Sequence, residues 1–124
     1  MLAARTRMGA EMVEPNMSGV KSMLNKLKQG GVVVIASDQV PNLEGGLLSN
    51  FFSTPALTMT LVSKLKLKTG APCHSVYCLR KPQGECFEVV YSQEIKGMDL
   101  DMQSSVDRMN EELEKCIMIA PEQY

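Results

Sequence analysis

The sequence has 124 residues, 44% of them apolar, and 13 Lys and Arg set against 14 Asp and Glu leave a formal net charge of −1. That is one domain's worth of chain, enough for a single core. No stretch reaches the roughly 18 uninterrupted apolar residues of a membrane span, and Met1 to Gly9 carries two arginines without the apolar run of a signal peptide.

In chain order, Glu11 to Glu14 reads as a short strand stopped by Pro15. Ser18 is placed to cap a helix in which Val20, Met23, Leu24 and Leu27 fall at i, i+3, i+4 and i+7, with Gly30 and Gly31 ending it. Val32 to Ser37 does not alternate, the pattern of a strand buried on both faces in a parallel sheet. After a long loop, Ala56 to Lys68 repeats the helical period with Leu61, Val62 and Leu65 on one side, closed by Gly70. Cys73 to Leu79 and Cys86 to Tyr91 read as strands joined in a hairpin through Lys81-Pro82-Gln83-Gly84. Ser104 precedes a last amphipathic helix carrying Val106, Met109, Leu113 and Ile117.

The order β-α-β-α-β-β-α implies an α/β fold, a mainly parallel sheet flanked by helices with one antiparallel hairpin. Such sheets bind ligands outside the carboxyl ends of their strands, where Asp38, Gln39 and Arg80 stand. Asp38 could pin its own loop, hold a cation, or orient a base or a positively charged partner. Gly45 and Gly46 permit a positive φ or a close backbone approach, and Leu47, Leu48, Phe51 and Phe52 set large apolar groups beside that loop.

Several chemistries are excluded. No G-x-G-x-x-G or P-loop follows a strand, and no G-x-S-x-G is present. The four cysteines lack C-x-x-C spacing and read as reduced, buried thiols; ten methionines read as core filler. His74 is the one histidine, which leaves a metal site without partners, and Leu79 five positions later rules out a His-x4-Asp/Glu pair there. No cofactor is expected. Residues 1 to 80 hold nine Lys and Arg against four acids, and residues 81 to 124 four against ten. This division is either two solvated faces or a basic part that meets an anionic partner. Aromatic residues do not interleave with the lysines, so no nucleic acid is expected.

Four segments together carry a resemblance: "RTRMGAEMVEPNMSGVKSMLNKLKQGGVVVIASDQVP", "NFFSTPALTMTLVSKLKLKTGAP", "YCLRKPQGE" and "RMNEELEKCIMIAPEQY". In this order they resemble the C-terminal half of the late lipid A biosynthesis acyltransferases, the lauroyl and myristoyl transferases of Gram-negative bacteria. The resemblance covers nearly the whole chain and implies transfer of a fatty acyl chain from an acyl carrier protein thioester to a hydroxyl of a lipid A precursor. It places the full-length enzyme at the membrane surface, on the cytoplasmic face of the inner membrane. The family's base lies in a His-x4-Asp/Glu motif upstream of these segments, so residues 1 to 124 read as the C-terminal part of one acyltransferase domain, cut at both ends and inactive alone.

Carried over by position, the resemblance gives Asp38 a supporting catalytic role. It makes Arg7, with Arg5 beside it, a holder of a lipid phosphate or carboxylate, or a partner of Asp38. It adds Gln39, Gly45, Phe51 and Phe52 to the substrate-binding set. Ser37 and Ser75 stand where many members have proline. The competing expectation is a non-catalytic α/β module whose basic face binds an anionic lipid or an acidic protein.

Overall fold

The computed structural model describes residues 9–84 and 86–124, which divide into two compact units with the boundary between Val34 and Ile35. The first unit is built on helix α1, Met17–Lys28. Its cap is Asn16 rather than Ser18: extended backbone at Asn16 lets its Oδ1 accept from the Gly19 N–H at 2.9 Å, and Ser18 falls inside the first turn. Met23, from the expected apolar stripe, is the buried methionine of this helix. Lys26 and Lys28 close it, cations beside the negative end of the helix dipole.

Two strands expected here do not form. Glu11 to Glu14 is irregular and exposed, and Val32 to Ser37 carries no ladder partner among the described residues. A strand exists only by exchanging backbone hydrogen bonds, so an apolar run without a partner stays a run. Val32 is 83% exposed and Val34 80%, while Val33 and Ile35 are half-buried, so the run is not buried on both faces.

The second unit contains strands β1 (Gly46–Phe51) and β2 (Thr54–Met59), helix α2 (Leu61–Thr69), strands β3 (Val76–Arg80) and β4 (Phe87–Tyr91), and helix α3 (Met102–Ile119). Among the described residues β1 pairs only with β2 and β3 only with β4, both antiparallel, so the expectation of a mainly parallel sheet is corrected to two antiparallel hairpins in a mixed α/β arrangement. The expected helix from Ala56 is corrected as well: Ala56 to Met59 belongs to β2, and the helix starts at Leu61. Pro55 and the β-branched Thr54 and Thr58 favour an edge strand over a helix, and Leu47↔Thr58 and Ser49↔Ala56 give that strand its partner. Gly70 ends α2 at φ 66°, a left-handed conformation in which its N–H reaches the Lys66 carbonyl.

The core of this unit is small and made largely of methionine and helix residues: Leu65 of α2, Val106 and Met109 of α3, and Met98 from the loop before α3. Met98 and Val106 are fully buried. Helix α3 begins under Asp101, whose carboxylate accepts from the Ser104 N–H at 2.9 Å and the Ser104 hydroxyl at 2.7 Å. Ser104 is therefore a first-turn residue and the cap lies three positions earlier.

The hairpin β3–β4 forms where expected, with Lys81 N–H bonded to the Cys86 carbonyl across the turn and a Lys81–Glu88 ion pair beside it. Beyond α3, a turn at Pro121–Gln123 brings the Gln123 side-chain amide to the edge of β3, where it accepts from Arg80 N–H at 2.7 Å. The expectation of buried thiols is overturned. All four cysteines are free, but Cys78 and Cys86 are exposed and Cys73 and Cys116 half-buried; Cys78 lies on the outward face of β3, which no other layer covers among the described residues.

Candidate functional site

Helix α3 carries two stripes. The expected apolar one includes Val106 and Met109 in the core. Beside it runs a polar stripe, Gln103, Asp107, Asn110 and Glu114, at spacings of four, three and four, which keeps all four on one helical face. Each member meets β1 or the turn after it. Gln103 Nε2 donates to the Leu48 carbonyl at 3.1 Å and to Asp107 Oδ1 at 2.9 Å. Asp107 Oδ1 accepts from the Ser49 hydroxyl at 2.7 Å. The Asn110 amide nitrogen lies 3.1 Å from Ser49 Oγ, 3.1 Å from the Asn50 carbonyl and 2.9 Å from Thr58 Oγ1. Glu114 Oε1 accepts from the Phe52 N–H at 2.7 Å.

The stripe thus follows β1 from Leu48 to Phe52 as a polar seam. Ser49, Thr58 and Asn110 are buried in it, and burial of polar atoms is tolerated there because each has a partner. A one-residue slip of β1 would carry Ser49 to the other face and leave Asn110 unpaired, so the seam fixes register as well as contact.

At the far end of the seam the hairpin turns through Phe52 and Ser53, whose φ values are 48° and 61°. Two consecutive residues at positive φ make the two-residue turn that matches strand twist, a position normally filled by Asn-Gly or Gly. A bulky side chain there costs roughly 1–2 kcal/mol per residue. The rings of Phe51 and Phe52 meet edge to face, centroids 4.9 Å apart. Phe51 is half-buried and Phe52 exposed.

At the opposite end of β1, about 17 Å away for five strand rises, Gly45 lies in the short helical turn Leu43–Gly45. Its N–H bonds to Asn42 Oδ1 and its carbonyl accepts both the N–H and the hydroxyl of Thr60. Of the two reasons offered for this glycine pair, close approach is the one met. A Cβ on Gly46 would sit 2.6 Å from Leu57 Cγ and 2.9 Å from Pro41 Cγ.

Asp38 and Gln39 lie in an exposed bend. The parallel strand whose carboxyl end was to present them is absent among the described residues. Arg5 and Arg7 lie outside the described residues. The site residues expected from sequence are therefore brought together in two places, the Phe51–Phe52 tip and the Gly45 base, with Asp38 and Gln39 on the loop leading to the latter. His74 is exposed, its Nδ1 3.1 Å from the Ser92 carbonyl, with no acid five residues on.

A second, charged feature escaped the sequence reading. An open cleft of about 470 Å³ lies between Gln93–Gly97 and the α3 residues Arg108, Glu111, Glu112 and Lys115. Near its loop side, Lys66 is buried, its ammonium 3.2 Å from Glu94 and 3.2 Å from Asp99. Burial works against that charge, but bonds to Asp99 and Glu94 outweigh it and hold the ammonium above its ordinary range. Glu94 is correspondingly held below the usual carboxylate range, first by Lys96 and then by Lys66. Burial pushes the Cys73 thiol up, against the pull of Lys66.

The signal that would have revealed the seam was present: four polar residues in a strict helical stripe adjoining an apolar one. A stripe of that kind normally faces water, and only a partner hairpin bearing Ser49 on β1 and Thr58 on β2 turns it inward. Among the described residues no helix is long and apolar enough to cross a membrane.

Comparison with known proteins then bears on the whole chain. The family model described as bacterial lipid A biosynthesis acyltransferase matches residues 1–124. The chain is 28% identical to the lipid A biosynthesis palmitoleoyltransferase of Escherichia coli (strain K12), over 97% of this chain and 40% of that protein. It is equally similar to a lipid A biosynthesis acyltransferase of Shigella flexneri. Identity to the Escherichia coli (strain K12) lipid A biosynthesis lauroyltransferase is 32%, over 85% of this chain and 35% of that protein. The chain thus spans about 40% of the length of the relatives it matches.

Proposed function

The chain belongs to the bacterial lipid A biosynthesis acyltransferase family, and we propose that it forms the C-terminal part of one acyltransferase domain. In our reading that domain moves a fatty acyl chain from an acyl carrier protein thioester to a hydroxyl of a lipid A precursor, working at the cytoplasmic face of the inner membrane. The observation that carries the reading is a family match along the entire chain.

The chemistry needs a base for the acceptor hydroxyl, donors for the oxyanion and an apolar surface for the chain. These 124 residues supply the third. Phe51 and Phe52 offer the apolar surface. Asp38 takes a supporting role at the reacting centre, with Gln39 and Gly45 on the same loop binding substrate, and Arg7 with Arg5 holds an anionic group of the lipid. The base is missing: His74 has Leu79 where an acid would be required. The chain is therefore inactive alone and gains activity when joined to a segment bearing His-x4-Asp/Glu.

The test is to assay acyl transfer from acyl carrier protein to a lipid A precursor by the 124-residue chain alone and by a fusion. The fusion adds the part of the Escherichia coli palmitoleoyltransferase outside the aligned region. Activity of the fusion alone supports the reading; equal activity from the chain by itself overturns the inactivity. In the fusion, Asp38→Asn should lower turnover at least tenfold with little change in melting temperature. Parallel losses of both would return Asp38 to pinning its loop.

A further inference from the structure

The tip of the first hairpin is built in a way that chain reversal alone does not require. Asn-Gly would make the same turn without strain, yet the chain places Phe52 and Ser53 at φ 48° and 61°. What it gains is an aromatic ring at the tip, 42% exposed and locked edge to face against Phe51. What holds it there is Glu114, 62 residues away in sequence, through one charge-assisted bond of 2.7 Å to the Phe52 N–H. Strained backbone over-determined by its surroundings is characteristic of ligand clamps.

We propose that Glu114 is a positioning residue for the acyl chain: it holds the Phe52–Ser53 turn so that the Phe51–Phe52 ring pair presents a fixed apolar wall to an unbranched hydrocarbon. The proposal rests on the reading of Phe51 and Phe52 as the acyl-binding surface given above. Glu114 touches no substrate and acts through the Phe52 amide. Its place at the end of the seam, after Asn110 has fixed β1 one helical turn earlier, makes the turn the one part of the hairpin that depends on Glu114.

The protein has three phenylalanines, Phe51, Phe52 and Phe87, the last on the other hairpin. The 124-residue chain labelled with 4-fluorophenylalanine therefore reports the tip through two fluorine resonances and an internal control through the third, assigned with Phe51→Leu and Phe52→Leu. On titration with laurate or palmitoleate below their micelle concentrations, the Phe51 and Phe52 signals should shift saturably while Phe87 stays in place. Glu114→Ala should weaken that binding about three- to tenfold, as expected for a partly exposed charge-assisted bond. Glu114→Gln, which keeps an acceptor oxygen, should bind as the parent does. Asp107→Ala, which cuts the seam at Ser49, should lower the melting temperature without changing affinity. If Glu114→Ala unfolds, Glu114→Ala/Ser53→Gly restores a relaxed turn and must still bind weakly.

Unchanged affinity in Glu114→Ala, or losses in Asp107→Ala equal to it, would overturn the positioning role and leave the acyl surface standing. A shift at Phe87 alone would move the hydrocarbon to the exposed face of β3–β4. No shift at any resonance would remove both the proposal and the acyl reading of the Phe pair.

Discussion

The Asn110 amide nitrogen of α3 and the Thr58 hydroxyl of β2 meet at 2.9 Å, both buried, 52 positions apart in the chain. Around that contact the same amide serves Ser49 and the Asn50 carbonyl. One side chain therefore joins both strands of a hairpin to the helix that covers it. An apolar residue of similar size would fill the space but remove the two N–H donors that these three oxygens share.

Asn110→Leu should consequently destabilise the chain by roughly 2–4 kcal/mol, more than a typical core substitution of equal volume. Urea unfolding followed by circular dichroism checks this, with the midpoint falling and the denaturant slope unchanged. A loss under 1 kcal/mol would mean that Ser49 and Thr58 find water or each other.

Much of this unit was legible in the sequence and some of it could not be. The apolar period of α3, the β3–β4 hairpin and the glycine stop at Gly70 depend on neighbours close in sequence, and they are found. The Val32 to Ser37 run misled because an unbroken β-branched stretch states only that a strand is possible there; pairing is decided by a partner elsewhere. Ala56 to Met59 misled in the opposite sense: it continues the apolar period of Leu61, Val62 and Leu65, but Gly46–Phe51 supplies it with a ladder and the helix begins only at Leu61. Around the candidate site, the apolar character of the Phe51–Phe52 tip was legible by residue type. Glu114 was not, since nothing local links an acid on a helix to a turn 62 residues earlier.

The strain at the hairpin tip is separable from its function at Ser53, whose side chain makes no part of the ring pair. Ser53→Gly relieves a φ of 61° and should stabilise by about 0.5–1 kcal/mol after the added freedom of the unfolded chain is deducted. Differential scanning calorimetry should show a rise of a few degrees. A fall would mean that Ser53 is held by contacts of its own.

Met98 tests how far a loop residue carries the core. It sits outside every helix and strand yet is fully buried. Met98→Ala should cost about 2–4 kcal/mol, the transfer term plus the cavity left by the thioether. Met98→Leu, which nearly conserves volume, should cost under about 1.5 kcal/mol. Equal losses in the two variants would argue that packing around the thioether, rather than filled volume, is what the site requires.

The pH dependence of stability should be flat in the middle and fall at both ends, for reasons tied to named groups. Glu94 and Asp101 are held below their ordinary values, Glu94 by Lys96 and Lys66 and Asp101 by the Ser104 backbone and hydroxyl. Their contribution is present above the unfolded carboxylate range, near pH 4, and is lost as pH falls through the lower folded values. Lys66 is held above its ordinary value by Asp99 and Glu94. Its contribution is complete below the unfolded lysine value, about 10.4, and is lost as pH rises through the folded one. Melting temperatures from pH 2 to 11 should therefore decline on an acid and an alkaline limb. Asp101→Asn keeps a good helix cap while removing the titration, so its acid limb should be shallower than the parent's with neutral stability little changed. Lys66→Met should flatten the alkaline limb and leave Glu94 with only Lys96 on the acid side. An alkaline limb unchanged in Lys66→Met would show that the buried ammonium contributes nothing through its two carboxylates.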